Sequence, residues 1–163
     1  MDKRHIVYDK LKEMDIPYEL EEHPAAFTIE EMDALDLTDK ESVVKNLFLR
    51  DAGGKRHFLV TLQKDKKADL KKLRELLGST ALSFASEERL NRFLGLSKGE
   101  VTPFGILNDR DASVEVVFDR DLLGKKVGVH PNDNTATVYL AMDDLVRVIR
   151  QNGNSVKYVE IEP

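Results

Sequence analysis

The sequence predicts an α+β fold: a mixed, mostly antiparallel sheet with helices packed around it. Three observations carry this. Two apolar runs flank Asp51-Ala52-Gly53-Gly54, a turn sequence, so residues 43–50 and 57–62 read as a β-hairpin. Segments of helical period are inserted between strand runs and do not alternate with them regularly as βαβ units. GxGxxG and GxxxxGK[ST] are both missing, which counts against a nucleotide-binding doubly wound sheet.

Each element follows from local chemistry. Ile6, Val7, Leu11 and Met14 recur at helical spacing, predicting a first amphipathic helix over 3–15. Pro17 ends it, and residues 18–23 can run as a strand until Pro24 forces a break. Thr28 with Glu31 three residues on is a capping-box signature for a short helix towards Leu35. After the hairpin, Asp69 caps a helix carrying Leu70, Leu73, Leu76 and Leu77, with Gly78 as its stop. Ser86 caps another, with Leu90, Phe93 and Leu94 inward and Gly95 after it. Residues 96–111 show no periodicity and contain Gly99, Pro103 and Gly105. Strands are expected at 114–119, 125–130 and 135–140, a helix over 142–151 stopped by Gly153, and an edge strand at 156–161. No repeat, low-complexity tract or linker interrupts residues 1–163, which read as one domain.

Composition narrows the chemistry. The 163 residues include no Cys, which removes disulfides, thiolate zinc sites, iron–sulfur clusters and thiol nucleophiles together. No apolar run approaches membrane length and the N-terminus lacks a signal-peptide core, so a cytoplasmic location without a membrane partner is expected. A formal charge of −5 argues on its face against nucleic acid, but the charge is uneven. Residues 1–42 hold 5 basic and 13 acidic groups, whereas residues 43–78 hold 10 basic and 4 acidic. The basic block centres on Lys64, Lys66, Lys67, Lys71, Lys72 and Arg74. It is either a solvated helix face or a phosphate-contacting patch.

Four places could do chemistry. Lys45 and Asn46 interrupt an apolar strand, where polar groups are costly unless a cleft opens or both are hydrogen-bonded. Lys45 is either a lysine snorkelling to water or one held to meet a phosphate or carboxylate. Gly99-Glu100-Val101-Thr102-Pro103-Phe104-Gly105 is either an ordinary surface loop or a backbone surface for a ligand. His130 stands at a strand end beside Pro131-Asn132-Asp133-Asn134, in a structural or a catalytic role. Glu22-His23-Pro24-Ala25-Ala26-Phe27-Thr28 leads into the helix cap. His5, His23, His57 and His130 share no ligand spacing, so no metal is expected, and no GxSxG elbow occurs.

Seven strings in order carry a resemblance. Tyr18–Pro24, Lys45–Asp51, Leu82–Leu90, Leu94-Gly95, Gly99–Gly105, Asn108-Asp109 and His130-Pro131 with Asn134–Thr137 resemble the YbaK-type, prolyl-tRNA-synthetase-associated editing domains. The likeness is greatest to their freestanding ProX (PrdX) branch and runs over about residues 5–155. It implies a single YbaK-like domain that needs no cofactor and hydrolyses the ester of alanine mistakenly attached to tRNA(Pro). A synthetic pocket built for proline discriminates against a smaller side chain by only ~1–3 kcal/mol, so a second site must clear the error. The branch implies that Lys45 contacts the phosphate or ribose of the terminal adenosine and Asn46 the aminoacyl moiety, while His130 shapes the site. The Gly99–Pro103 loop would face the scissile ester, with N–H groups between Gly99 and Gly105 as oxyanion donors. Phe27, Thr28, Ile29, Thr102, Pro103, Phe104, Gly105 and Val129 are the implied substrate contacts. An unperturbed Lys45, with a pKa of about 10.4, would be an electrostatic anchor and not a base. Asn132 and Asp133 stand where the branch more often carries apolar residues. A cysteinyl-tRNA(Pro) deacylase and a non-catalytic tRNA-binding module associated with a synthetase are the alternatives. The implied partner is the acceptor end of alanyl-tRNA(Pro), presented by prolyl-tRNA synthetase or an elongation factor to a monomer.

Overall fold

The computed structural model describes residues 3–162. In chain order its elements begin with α1 (Arg4–Glu13), β1 (Glu19–Glu22), α2 (Ile29–Ala34), β2 (Val44–Arg50) and β3 (His57–Gln63). They continue with α3 (Leu70–Leu77), β4 (Ser83–Phe84), α4 (Glu87–Leu94) and β5 (Glu115–Asp119). The last are β6 (Lys126–Val129), β7 (Ala136–Ala141), α5 (Met142–Asn152) and β8 (Val156–Val159).

The hairpin forms as the turn sequence predicts, with Val44 opposite Gln63 and Arg50 opposite His57. The strands divide into two sheets where the sequence suggested one. A five-stranded sheet has the order β4-β2-β3-β5-β8, and a three-stranded sheet the order β1-β7-β6. The small sheet is antiparallel throughout, but β5 pairs parallel with β3 and β8 parallel with β5. Long returns through helices permit parallel pairing that a tight turn cannot. Among the described residues a single bridge joins the sheets, between Val43 and Gly128.

Alternation sorts the large sheet into two buried faces. Phe48, Leu59, Val116 and Phe118 face a core shared with Val7, Leu11, Leu90, Leu94, Leu145 and Ile149, and with Val127, Val129, Val138 and Leu140 of the small sheet. Leu49, Phe58, Val60, Leu62 and Val117 face the other way, onto Leu73 and Leu77 of α3. Burial on both sides explains why these strands read as continuous apolar runs. Each fully buried large side chain contributes about 1.5–3 kcal/mol. Ile6, expected inward, is instead 40% exposed; Val7 and Leu11 are the buried residues of α1, with Tyr8 and Met14 packed beside them.

The predicted caps are present. The carboxylate of Asp69 accepts from the N–H groups of Lys71 and Lys72, and Ser86 accepts from Arg89 N–H at 3.2 Å. Thr28 Oγ1 accepts from Glu31 N–H at 3.0 Å, but the returning Glu31 carboxylate takes the N–H of Phe27 at 2.6 Å. The capping box is therefore shifted by one residue. Among the described residues no helix is long and apolar enough to cross a membrane.

Lys66 departs furthest from the surface role that its charge block suggested. It is buried, with Nζ 2.9 Å from Asp119, 2.6 Å from Asp121 and 2.7 Å from the Ile161 carbonyl. Burial opposes its charge, but the two carboxylates outweigh burial and hold its pKa above the ordinary lysine value. Replacing one partner of such a pair strands the other charge, at about 3–5 kcal/mol. Lys66→Met is therefore expected to lose that amount in urea unfolding. Lys72→Met, which breaks the exposed pair with Glu162, should leave the midpoint essentially unchanged.

Candidate active site

Beyond the Val43–Gly128 bridge, β2 and β6 separate, and a cavity of about 190 Å³ opens between them. Val43, Val44, Lys45 and Asn46 line one side, and Gly128, Val129, His130 and Thr137 the other. Phe27, Thr28 and Ile29 at the start of α2 border it, with Gly99 and Val101 opposite them and Ala26 and Met32 completing the lining. Thus Lys45, Asn46, Gly99, His130, Phe27, Thr28, Ile29 and Val129, distant in sequence, share one cavity.

The β2 wall presents donors. Lys45 Nζ donates to the main-chain carbonyl of Lys66. Burial and, secondarily, the neighbouring Lys67 cation lower the Lys45 pKa, against the opposing pull of Glu30 and Asp65. The unperturbed lysine expected from sequence is corrected accordingly. Asn46 Oδ1 accepts the hydroxyl proton of Thr61 at 2.6 Å, so its Nδ2 remains available as a donor. Because Ala85 N–H donates to Phe48 O at 3.0 Å, even-numbered residues of β2 turn their main chain away from β3. The N–H and C=O of Asn46 therefore face the seam, where no strand pairs with them.

The opposite wall presents acceptors. His130 Nδ1 lies 3.0 Å from the Ala136 carbonyl, which can only accept, so Nδ1 carries the proton and Nε2 is a lone pair. Burial, reinforced by the His23 ring at 6.1 Å, lowers the His130 pKa and outweighs the Ala136 carbonyl, which pulls it up. His23 is fixed alike: Nδ1 donates to Pro24 O at 2.9 Å, and in the neutral ring Nε2 accepts from Thr137 Oγ1 at 2.8 Å. With its proton directed at His23, the Thr137 hydroxyl has only lone pairs left to offer.

The loop departs from expectation. Thr102, Pro103, Phe104 and Gly105 are buried and do not line the cavity. Pro103–Asn108 forms a 3₁₀ turn that sends Phe104 and Ile106 into the core and sets Gly105 against Leu94 and Leu96. The N–H groups of Phe104 and Gly105 are used by Thr102, and that of Glu100 by Ser97. Among the described residues, the N–H groups of Gly99, Val101 and Thr102 have no acceptor, and of these three only Gly99 and Val101 line the cavity, so the oxyanion donors contract to these two. Thr102 acts at one remove, donating its hydroxyl to the His130 carbonyl at 2.6 Å. Gly99 has φ +87°, and a Cβ there would lie 2.5 Å from Phe27 Cδ1.

The border is tied down on both sides. Asn134 Nδ2 donates to Ala26 O at 3.2 Å, and Lys64 pairs with Asp33 at 2.9 Å. Asp133 accepts from the N–H and hydroxyl of Thr135. Asn132 is fully buried at φ +63° and does not line the cavity, so neither departure alters the lining. No group of three or more His, Cys, Asp or Glu among the described residues could hold a metal ion.

The residue pattern did not single out Ala26, Met32, Val43, Val44, Val101, Gly128 or Thr137 as site residues. A glycine inside a strand signals close approach, and a Cβ on Gly128 would lie 2.9 Å from the Tyr139 ring. Thr137 lay within a quoted string but gains meaning only from His23, 114 positions away.

The aminoacyl-tRNA editing domain model matches residues 23–148, which contain every residue of the cavity. The chain belongs to this family. It is 53% identical to the prolyl-tRNA editing protein ProX of Acetoanaerobium sticklandii, covering 99% of each chain. The prolyl-tRNA synthetase associated domain-containing protein 1 of Danio rerio is 34% identical, over 93% of this chain and 83% of its own. The crystal structure of a candidate trans-editing enzyme for prolyl tRNA synthetase superposes with a TM-score of 0.74 at 22% identity, covering 100% of this chain and 98% of that one. At that identity the last likeness concerns the editing-domain fold alone.

Two neutral histidines give a pH signature. His57 is buried, and burial first, then Arg89, Arg92 and Arg50, lower its pKa as burial lowers that of His130. The unfolded chain takes up these protons near pH 6.5 while the folded chain resists them, so stability is unaffected above that pH and declines below it. The urea midpoint should fall between pH 7.5 and 5.0. His57→Gln and His130→Gln should each shrink that difference.

Proposed function

We propose that this chain is a trans-acting editing enzyme that hydrolyses the ester of tRNA(Pro) mischarged with alanine. Membership of the editing family makes it an aminoacyl-tRNA hydrolase. The observation that carries the reading is the convergence of Lys45, Asn46, Gly99 and His130 on one small cavity between two sheets.

The lining suits an already activated ester. Lys45 attracts the phosphate or ribose oxygens of the terminal adenosine, and Asn46 donates from Nδ2 to the aminoacyl group. The N–H groups of Gly99 and Val101 stabilise the oxyanion that forms as water adds to the carbonyl. Neutral His130 offers Nε2 to order or deprotonate that water, and the neighbouring ribose hydroxyl of the substrate can assist. Positioning of this kind replaces a protein nucleophile. Ala26, Met32, Val43 and Val129 supply an apolar lining in which a methyl group is accommodated more readily than a prolyl ring. The protein acts as a monomer in the cytoplasm, on substrate released by or presented with prolyl-tRNA synthetase or an elongation factor. Cleavage of cysteinyl-tRNA(Pro), or tRNA binding without catalysis, is the competing outcome.

Alanyl-, cysteinyl- and prolyl-tRNA(Pro) incubated with the protein should lose the alanyl ester fastest. Lys45→Ala should lower kcat/KM for it on the order of a hundredfold. Hydrolysis of none of the three would remove the enzymatic reading, and cleavage of the cysteinyl ester alone would move the substrate assignment. Equal rates with and without Lys45 would reject its role.

A further inference from the structure

The basic block expected from sequence does not survive folding as one surface. Lys66 is buried on Asp119, while Lys64 is paired with Asp33 and Lys72 with Glu162. A different set of cations converges at the hairpin turn. Arg50 Nη2 and Arg89 Nη2 each lie 2.9 Å from the position a Gly54 Cβ would occupy, which brings two guanidinium groups to one spot. Arg50 donates to the Asp51 and Ala52 carbonyls, and Arg89 to the Gly54 carbonyl and to His57 Nε2. Arg92, three residues beyond Arg89 on α4, lies over the Phe93 ring at 4.8 Å.

Among the described residues no carboxylate lies within 4.0 Å of these three guanidinium groups, whereas Arg56 is paired with Glu115 and Arg147 with Asp144. Asp51, the acid nearest in sequence, spends its carboxylate on the N–H groups of Lys55 and Arg56. Glu87 and Glu88 on α4 make no ion pair with the cluster. His57 feels all three cations, each pushing it towards the neutral form, so it adds no further positive charge and can supply no counterion. Like charges held together without an internal counterion favour an external anion. The planar guanidinium fork matches phosphate oxygens in particular.

We infer that Arg50, Arg89 and Arg92 form the surface on which the tRNA acceptor strand lays its phosphates while its 3′ end enters the cavity. This rests on the tRNA reading above and extends it to a docking path. Asn46 at the cavity and Arg50 in the cluster are four residues apart on β2, roughly 13 Å along the strand, a span that a bound strand covers on the outside of the sheet, past the buried Phe48 between them. A stacked single strand rises about 3.4 Å per nucleotide, so that span corresponds to roughly four nucleotides. This is the unpaired length that leads from the aminoacylated end back to the acceptor duplex. Arg89, held by Gly54 and His57, fixes the surface, and Arg50 and Arg92 flank it.

The test is binding of deacylated tRNA(Pro) over a series of sodium chloride concentrations. Arg50→Gln and Arg92→Gln are each expected to weaken binding several-fold and to flatten the log–log salt slope by about 0.7–0.9. Arg92→Lys, which retains the charge, should keep most of the slope. Lys71→Gln and Arg74→Gln, on the exposed face of α3, should leave it unchanged. Slopes indifferent to Arg50 and Arg92, or flattened instead by the α3 variants, would overturn the inference. So would loss in Arg92→Lys equal to that in Arg92→Gln. Arginine-dependent binding by a protein that cleaves none of the three esters would uphold this surface and refute the enzymatic reading. Wild-type protein that binds no tRNA would overturn both.

Discussion

A single β-bridge decides where chemistry is possible in this molecule. Val43 and Gly128 join two sheets that are held together elsewhere by side-chain packing. Had the pairing continued, the main chain of Asn46 would be spent on a ladder and the space beside it closed. Because it stops, the N–H and C=O groups of a buried strand meet a cavity instead of another strand. Gly128 at the bridge leaves room for the Tyr139 ring and the Thr137 methyl group, which lie across it from β7 within the small sheet. The seam is thus both a weak point of the sheet architecture and the place where backbone polarity is exposed without solvent flooding the core.

Polarity within the cavity is divided by wall. Donors come from β2, as the Lys45 amine and the Asn46 amide, and acceptors from β6 and β7, as His130 Nε2 and Thr137 Oγ1. The acceptor character is set by main-chain carbonyls, of Pro24 for His23 and Ala136 for His130, which impose the tautomer. Residues that never enter the cavity therefore determine what its surface can recognise. Thr61 does the same on the donor side by occupying the Asn46 oxygen.

Local rules made much of this legible in the sequence. Capping side chains, C-terminal glycines and the Asp51–Gly54 turn place helices and hairpin because each acts over a few residues. Of the eight cavity residues, Lys45, Asn46, Gly99 and His130 stand out as unusual residues in apolar or Gly/Pro-rich settings, whereas Phe27, Thr28, Ile29 and Val129 follow from the family resemblance alone. The failures share a cause. Phe104 and Gly105 carry the same punctuation as a ligand loop, yet burial of Phe104 and Ile106 turns that stretch inward. Lys66 counts as a surface cation until Asp119, far along the chain, accepts it. The two-residue β4 has too little pattern to signal a strand, and the partition into two sheets depends on crossovers that periodicity does not encode. Charge summed over consecutive residues misplaces the cationic surface, since β2 and α4 supply Arg50, Arg89 and Arg92 from separate blocks.

Lys66 carries one more consequence. Its carbonyl holds the amine of Lys45, while its own amine is clamped to Asp119, Asp121 and the carbonyl of Ile161. A single residue thus stands between the cavity and the chain's far end, main chain on one side and side chain on the other. Ile161, just past β8 and absent from the cavity wall, becomes a buttress for Lys45. A displacement of Ile161 would reach the cavity through two hydrogen-bonding steps rather than through distance.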